Sequence, residues 1–485
     1  RSYLSCLTSI LPMPNCLGIG SEIQLLTSPA ECSFTKVRSR IQVFDAHKDD
    51  GSNIRARYIP GVGTPYADIG DTGGTLGSSI GKGADQRIKK ALELLDEEID
   101  KVPAQQTLRL INVSVFGFSR GAAQARAFIR DLAAKCKADD GAHVYRGKPV
   151  RVAFTGLFDT VCSAYDSLAS ATLTTNGGHN GWAHDMKLPP MVEQTVHMNA
   201  AHELRRRFPL DSTRIDAGYP DNTVEIWYPG VHSDVGGGYE LQYQGRENTI
   251  SRFALNQMFD LAFGAGVLFQ RLEELDPVVQ REFNKDDPDL RAAFNAYIDA
   301  VPVKTGPMEV VQAAHMELWH RWLKKRVTSE VTLPSVSRMQ QARQSALAVE
   351  REKSREVMRL LNESPAAGAY PAPLPAGYEQ AAHQYRGVRE ARLTIDDCLD
   401  DLREEDAKYL LDVRVILAKA RRRLALTLRE KTIQAAWENE TPLPVAVESF
   451  FDRFSHDSVA HFDYDTSRLS DWRTIFFGNT KYKPS

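Results

Sequence analysis

Cysteine is scarce. Cys6, Cys16, Cys32, Cys136, Cys162 and Cys398 are spread over 485 residues, and no two form a Cys-x-x-Cys pair. That spacing excludes a disulfide scaffold, a zinc ribbon and thioredoxin-type chemistry. Neither sign of charge dominates: 60 Lys and Arg stand against 63 Asp and Glu, a formal net charge of −3. Such a balance argues against a general polyanion or nucleic-acid binder. No apolar run approaches the roughly 18 residues that a membrane-spanning helix requires. The stretch from Arg1 to Leu11 is interrupted by polar residues and followed by Pro12 and Pro14, so it does not read as a secretory signal. No repeat period is visible. What is present is ordinary for a globular chain, 42% hydrophobic and 25% charged residues, with enough length for a large core.

Strand and helix patterns alternate in the first half. Residues 41–44 read as a short strand, followed by a glycine-rich, loop-like stretch from Gly61 to Gly83. Ile88, Leu92, Leu95 and Ile99 recur at helical spacing. Leu108 to Phe116, Val152 to Phe158 and Val224 to Tyr228 are β-rich, and Ala122 to Ala134 reads as helix. The alternation predicts an α/β fold with a mostly parallel sheet and helices on both faces. Later segments are helical: Phe253 to Leu272, a helix around Val311 to Trp322, residues 335–363, and one or two long charged helices over 378–440. Ser364 to Gly377 is a Pro- and Ala-rich linker. The expected organisation is an N-terminal segment 1–40 of uncertain structure and a catalytic α/β domain 41–270. A helical module 271–444 follows, for membrane docking or partner binding, and then a segment 445–485 that returns to the catalytic domain. The acidic run Asp396 to Asp406 and the basic run Lys419 to Arg423 are read first as solvated helix faces.

Gly117-Phe118-Ser119-Arg120-Gly121 joins an apolar strand to an Ala-rich helix. In that setting G-x-S-x-G is a nucleophile elbow: a tight turn lifts the serine hydroxyl above the sheet, and the Arg120 backbone N–H can meet a developing oxyanion. A serine nucleophile needs a base, and the base an orienting acid. Asp159 ends the next strand and His232 follows the one after, both at the sheet edge where open α/β folds build their sites. Ser119, Asp159 and His232 are therefore the candidate triad. Asp234 is a second candidate acid. His456 and Asp457 are alternatives for the base or its support. No spacing suggests a metal site or a cofactor.

Gly-Phe-Ser-Arg-Gly-Ala-Ala, Gly156-Leu-Phe-Asp-Thr-Val161 and Trp227-Tyr-Pro-Gly-Val-His-Ser-Asp-Val-Gly-Gly-Gly-Tyr239 together resemble the catalytic domain of type VI secretion lipase effectors, family 1. Pro60-Gly61-Val62-Gly63-Thr64, His456-Asp457-Ser458 and Trp472-Arg473-Thr474-Ile475-Phe476-Phe477-Gly478 extend the likeness. The resemblance implies an α/β-hydrolase domain, phospholipase A-type cleavage of membrane glycerophospholipids, and the same triad. It implies partners as well, a secretion spike protein and a cognate immunity protein, with synthesis in the bacterial cytoplasm and delivery to a competitor's periplasm or membrane. One departure is that Val43-Phe44-Asp45-Ala46-His47-Lys48 stands where the family carries Phe-Asp-Gly-Thr, which leaves the second oxyanion donor open. Two other functions fit the residues: a soluble carboxylesterase or acyltransferase with this triad, and a non-enzymatic interaction protein or toxin acting through its charged helices.

Overall fold

The computed structural model describes residues 21–27, 42–51, 53–73, 83–103, 107–139, 141–162, 179–215, 218–362, 374–460, 470, 472–478 and 480–481. The first half contains β1 (Ser21–Thr27), α1 (Gln42–Asp45), β2 (Ile54–Ile59), α2 (Ala84–Asp100), β3 (Ile111–Phe118), α3 (Arg120–Lys135), β4 (Lys137–Asp139), β5 (Ala142–Tyr145) and β6 (Lys148–Phe158). β7 (Thr195–Ala200), β8 (Leu210–Ser212), β9 (Thr223–Tyr228), α4 (His232–Gly236) and α5 (Ser251–Gly264) follow. Then come α6 (Pro277–Phe283), α7 (Pro288–Ala300), α8 (Met308–Thr328), α9 (Pro334–Asn362), α10 (Tyr378–Arg421), α11 (Leu428–Glu438), α12 (Val445–Arg453), β10 (Ile475–Phe477) and β11 (Thr480–Lys481).

Strands β2, β1, β3, β6, β7 and β9 lie side by side and run parallel; the β4–β5 hairpin adds antiparallel to the start of β6. Parallel neighbours need crossovers, and the crossovers leave helices on both faces. β3 shows how the sequence divides between those faces. Ile111, Val113 and Val115 join the core packed by Ile88, Leu92 and Leu95 of α2 and Phe128, Ile129 and Leu132 of α3. Phe116 and Phe118 point the other way, into the core built with Met258 and Phe259 of α5. The period-two alternation of side chains along a strand is the cause.

Three expectations change. The segment read as a strand at 41–44 is the helical turn α1, because Val43 and Ala46, one turn apart, bury together against Phe269 and the α5 layer instead of pairing in the sheet. The helix expected to reach Leu272 stops at Gly264: Val267 N–H turns back to Ala262 O at 3.0 Å and Gly266 takes φ +92°, a left-handed stop that glycine adopts without strain. The N-terminal segment of uncertain structure supplies β1, between β2 and β3. Part of the glycine-rich stretch (74–82) and most of the proline-rich linker (363–373) lie outside the described residues.

Helices α7, α8, α10, α11 and α12 close around their own core, with Tyr297, Trp319, Trp322, Tyr409, Phe450 and Phe451 among its buried residues. Polar links bind this module to the α/β unit, the Arg214–Glu309 ion pair at 2.9 Å among them. Gly230 N–H donates to His202 Nδ1 (2.9 Å), so His202 Nε2–H donates to Tyr297 Oη (3.0 Å), which lies 2.8 Å from His315 Nδ1. At the chain's end, β10 pairs in parallel with β8, Ile475 opposite Leu210. No described helix is long and apolar enough to cross a membrane.

Candidate active site

β3 ends at Phe118, α3 begins at Arg120, and Ser119 alone makes the turn, at φ 57° and ψ −126°. A non-glycine residue in that region costs about 1–3 kcal/mol and persists only where the surroundings enforce it. The turn is fixed by Ser119 N–H to Phe158 O (2.9 Å) and by Val161 N–H to Ser119 O (3.3 Å). Gly117 is required because a Cβ there would lie 2.5 Å from Gly121 O and 2.6 Å from Ala122 Cα. Ser119 is 2% exposed.

Asp159 follows β6 with φ +44°, its N–H bonded to Met198 O at 2.8 Å. Its carboxylate receives His232 Nδ1–H (2.5 Å), Ala200 N–H (2.8 Å) and a two-pronged bond from Arg473, Nη1 at 2.6 Å and Nη2 at 2.7 Å. Asp159, His232 and Arg473 are all fully buried. Burial alone would favour the protonated carboxyl; the charges and hydrogen bonds of Arg473 and His232 outweigh it and hold Asp159 well below the usual carboxylate range.

The sharp turn Pro229-Gly230-Val231 after β9 delivers His232 to this carboxylate. The His232 ring packs 4.4 Å from the Phe118 ring and edge-on to Phe208 at 4.9 Å. Phe118 adjoins Ser119, so the imidazole and the serine share one rim of the sheet. His232 N–H donates to Glu203 Oε2 (3.1 Å), and Glu203 is held in turn by Arg205 (3.0 Å). A Cβ on Gly236 would fall 2.0 Å from the Phe118 ring, so the tight loop after His232 needs glycine there.

Asp234 does not bond His232. It accepts His456 Nδ1–H at 2.7 Å, with the backbone N–H groups of His456 and Val231 each at 3.0 Å. His456 thus forms a second buried His–Asp pair, stacked on Tyr239 at 3.9 Å, and its Nε2 makes no hydrogen bond among the described residues. Asp457 closes a turn on Val459 N–H (3.0 Å) and faces Arg326 of α8 at 3.4 Å. Beneath the site, Thr160 N–H donates to His197 Nε2 (3.1 Å), which fixes the proton on Nδ1, facing Glu225 at 2.7 Å.

Among the described residues one group has the donor set for a metal, Cys162, His179 and Asp211, their ligand atoms within 4.8 Å of one another. Its hydrogen bonds already close on themselves. Asp211 takes His179 Nε2–H at 2.5 Å and Cys162 N–H at 3.3 Å, and burial, with the Asp211 charge, keeps the Cys162 thiol protonated. The Arg126 guanidinium lies beside it, on the Asp211 carbonyl at 2.7 Å.

Sequence reasoning did not single out Arg473, Glu203 or the Ala200 N–H. Arg473 stands inside a stretch that carried the family resemblance, and that was its sole signal.

A mostly parallel sheet with a strained serine elbow and a buried His–Asp pair at the strand ends defines an α/β-hydrolase-like protein. Residues 130–261 match the family described as T6SS, phospholipase effector Tle1-like, catalytic domain. The matched span includes Asp159 and His232 and begins beyond Ser119. Among solved structures, an uncharacterized protein from Pseudomonas aeruginosa is similar at 21% identity and TM-score 0.66, covering 96% of this chain and 80% of that one. A Tle1 effector solved bound to the VgrG spike of the type 6 secretion system is similar at 18% identity and TM-score 0.40, over 61% of this chain and 84% of that one. No curated protein matches.

Proposed function

We propose that the protein is a serine phospholipase of A type, cleaving acyl esters of membrane glycerophospholipids as a type VI secretion effector. The observation that carries this reading is the Asp159–His232 pair at the rim of the Ser119 elbow. Ser119 Oγ attacks the ester carbonyl while His232 Nε2 takes its proton. Asp159 holds the ring in the tautomer with the proton on Nδ1 and stabilises the imidazolium that forms. The Arg120 N–H, at the first turn of α3, donates to the developing oxyanion. Collapse breaks the ester C–O bond, and the lysophospholipid alcohol leaves with the proton from His232. Water, activated by the same imidazole, then releases the fatty acid from Ser119.

The likeness of 130–261 to phospholipase effectors favours a phospholipid over a small monomeric ester. Delivery on a spike protein and neutralisation by an immunity protein belong to the same proposal, as does a docking role for the helical module. Incubating the protein with phosphatidylethanolamine–phosphatidylglycerol vesicles and analysing the extracted lipids tests the chemistry. Wild type should release free fatty acid and lysolipid, and Ser119→Ala should release neither. Undiminished release by a folded Ser119→Ala protein would overturn the reading.

A further inference from the structure

The Asp159 carboxylate receives more than a base requires. A His–Asp pair needs one hydrogen bond to set the imidazole, and Ala200 N–H supplies a second anchor. Arg473 adds two parallel bonds, one to each oxygen. A forked guanidinium–carboxylate pair fixes the plane of the carboxylate as well as its position. The oxygen that meets His232 is Oδ2, and the same oxygen takes Arg473 Nη1, so the direction of the His232 bond follows the guanidinium. Both partners are fully buried, where either charge alone would be strongly unfavourable.

Arg473 comes from the far end of the chain and is held by the helical module. Its carbonyl accepts Arg429 Nη2 of α11 at 3.0 Å. The neighbouring Trp472 indole N–H donates to His320 Nε2 of α8 (3.2 Å), whose Nδ1–H donates to Tyr409 Oη of α10 (3.1 Å). On the other side Leu210 N–H bonds Thr474 O at 2.8 Å and β10 pairs with β8.

We infer that Arg473 is a positioning residue for the reaction: its guanidinium orients Asp159 and, through it, His232, and the helical module is the frame that places it there. The inference rests on the assignment of Ser119, Asp159 and His232 made above. It gives the module a part in turnover that is independent of any docking.

The charged groups around the pair set the expected pH behaviour. Asp159 comes from the end of β6, Arg473 from the tail, Glu203 and Arg205 from the loop after β7, and Asp234 from α4; the Phe118 and Phe208 faces are apolar. Arg473 and Arg205 are the cations of this group. Arg473 is the largest influence that lowers Asp159, so without its charge that carboxylate takes up a proton at higher pH.

The test uses the full chain and a short-chain p-nitrophenyl ester below its micelle threshold, so that membrane docking does not enter. kcat, KM and the pH profile are measured for wild type, Arg473→Gln, Arg473→Lys, Trp472→Phe and Ser119→Ala, with melting curves as a check of folding. Arg473→Gln should lower kcat by roughly 10- to 100-fold with KM little changed and move the acidic limb up by about one pH unit. Arg473→Lys, which keeps the charge and loses the fork, should lower kcat and leave the limb in place. Trp472→Phe should do the same more weakly. A folded Arg473→Gln protein with wild-type kcat and an unmoved limb overturns the inference. If that variant does not fold, wild-type kcat in both Arg473→Lys and Trp472→Phe overturns it. Turnover retained by Ser119→Ala would instead sink the triad itself; turnover lost in Ser119→Ala but unaltered in the Arg473 variants sinks this inference alone.

Discussion

At the scale of single residues, the candidate site is held by close approaches that leave little choice of side chain. Gly117→Ala would place a methyl group against the backbone of Gly121 and Ala122. Neither can move without displacing the start of α3, so the variant should lose about 3 kcal/mol of stability, read as a lower denaturant midpoint. Asp159→Asn addresses function. The amide cannot stabilise an imidazolium and presents the wrong tautomer partner to His232, so kcat should fall by roughly 10³–10⁴. The same change leaves the Arg473 charge buried without its counter-ion, at a cost of about 3–5 kcal/mol; a melting curve separates that loss from the kinetic one. Ser119 and His232 were readable in the sequence because the groups that define them are local: strand, glycine, serine, helix for one, and a strand followed by Pro-Gly-Val-His for the other. Arg473 was not, because its partner Asp159 lies 314 residues earlier and no spacing rule reaches that far.

At the scale of elements, the outer part of the long antiparallel pair α9 and α10, beyond Arg343 and before Asp396, stands apart from the rest. Of Pro334–Asn362 only Ser335 and Met339 are buried. In α10 the buried residues other than Ala381 and Ala382 begin at Cys398. Arg343 and Asp396 form an ion pair across the two helices, which marks where a short Gly-Ser loop can replace Gln344 through Ile395. The shortened protein should hydrolyse a monomeric ester at the wild-type rate, since the frame around Trp472 and Arg473 is intact. If the removed arm serves docking, as proposed for the module, release of fatty acid from vesicles should fall at least tenfold in the same variant. Equal vesicle rates would remove docking from that arm. The two segments mispredicted from sequence, α1 and the end of α5, are also matters of element scale. A short apolar run such as Ile-Gln-Val-Phe fits a strand or a helical turn equally, and the packing of Val43 and Ala46 on one face decided it.

At the scale of the whole molecule, acid should act in two stages. Burial lowers His315 and His320 of α8 to about 3 from 6.5. A group whose folded value is depressed stabilises the native state fully above its unfolded value and loses that contribution as pH falls toward the folded one. These histidines therefore stabilise the module above pH 6.5 and cease to do so between about 6.5 and 3. Glu225 of β9 has burial opposing its ionisation, but His197 and its other hydrogen-bond donors prevail and take it from 4.5 to about 2. By the same sign, its contribution is complete above pH 4.5 and is lost as pH falls toward 2. Hydrogen exchange at pH 5 should accordingly show α8 and α10 opening while β3 and β6 stay protected. His320→Gln should melt lower than wild type at pH 7 yet lose less of its melting temperature on going to pH 5. An equal loss in the two proteins would remove His320 from this account.

The amino-acid sequence by itself determined the α/β character of the chain, the serine elbow and the edge of the sheet at which Asp159 and His232 stand. Those features follow from alternation along strands, from helical periodicity and from turn chemistry, all of which act over a few residues. Only the tertiary structure decided which carboxylate meets which imidazole, Asp159 with His232 and Asp234 with His456, and that a C-terminal arginine is clamped on the first pair. Such pairings join groups brought together by packing of the sheet against the helical module, and a hydrogen bond between distant segments leaves no periodic trace in the order of residues.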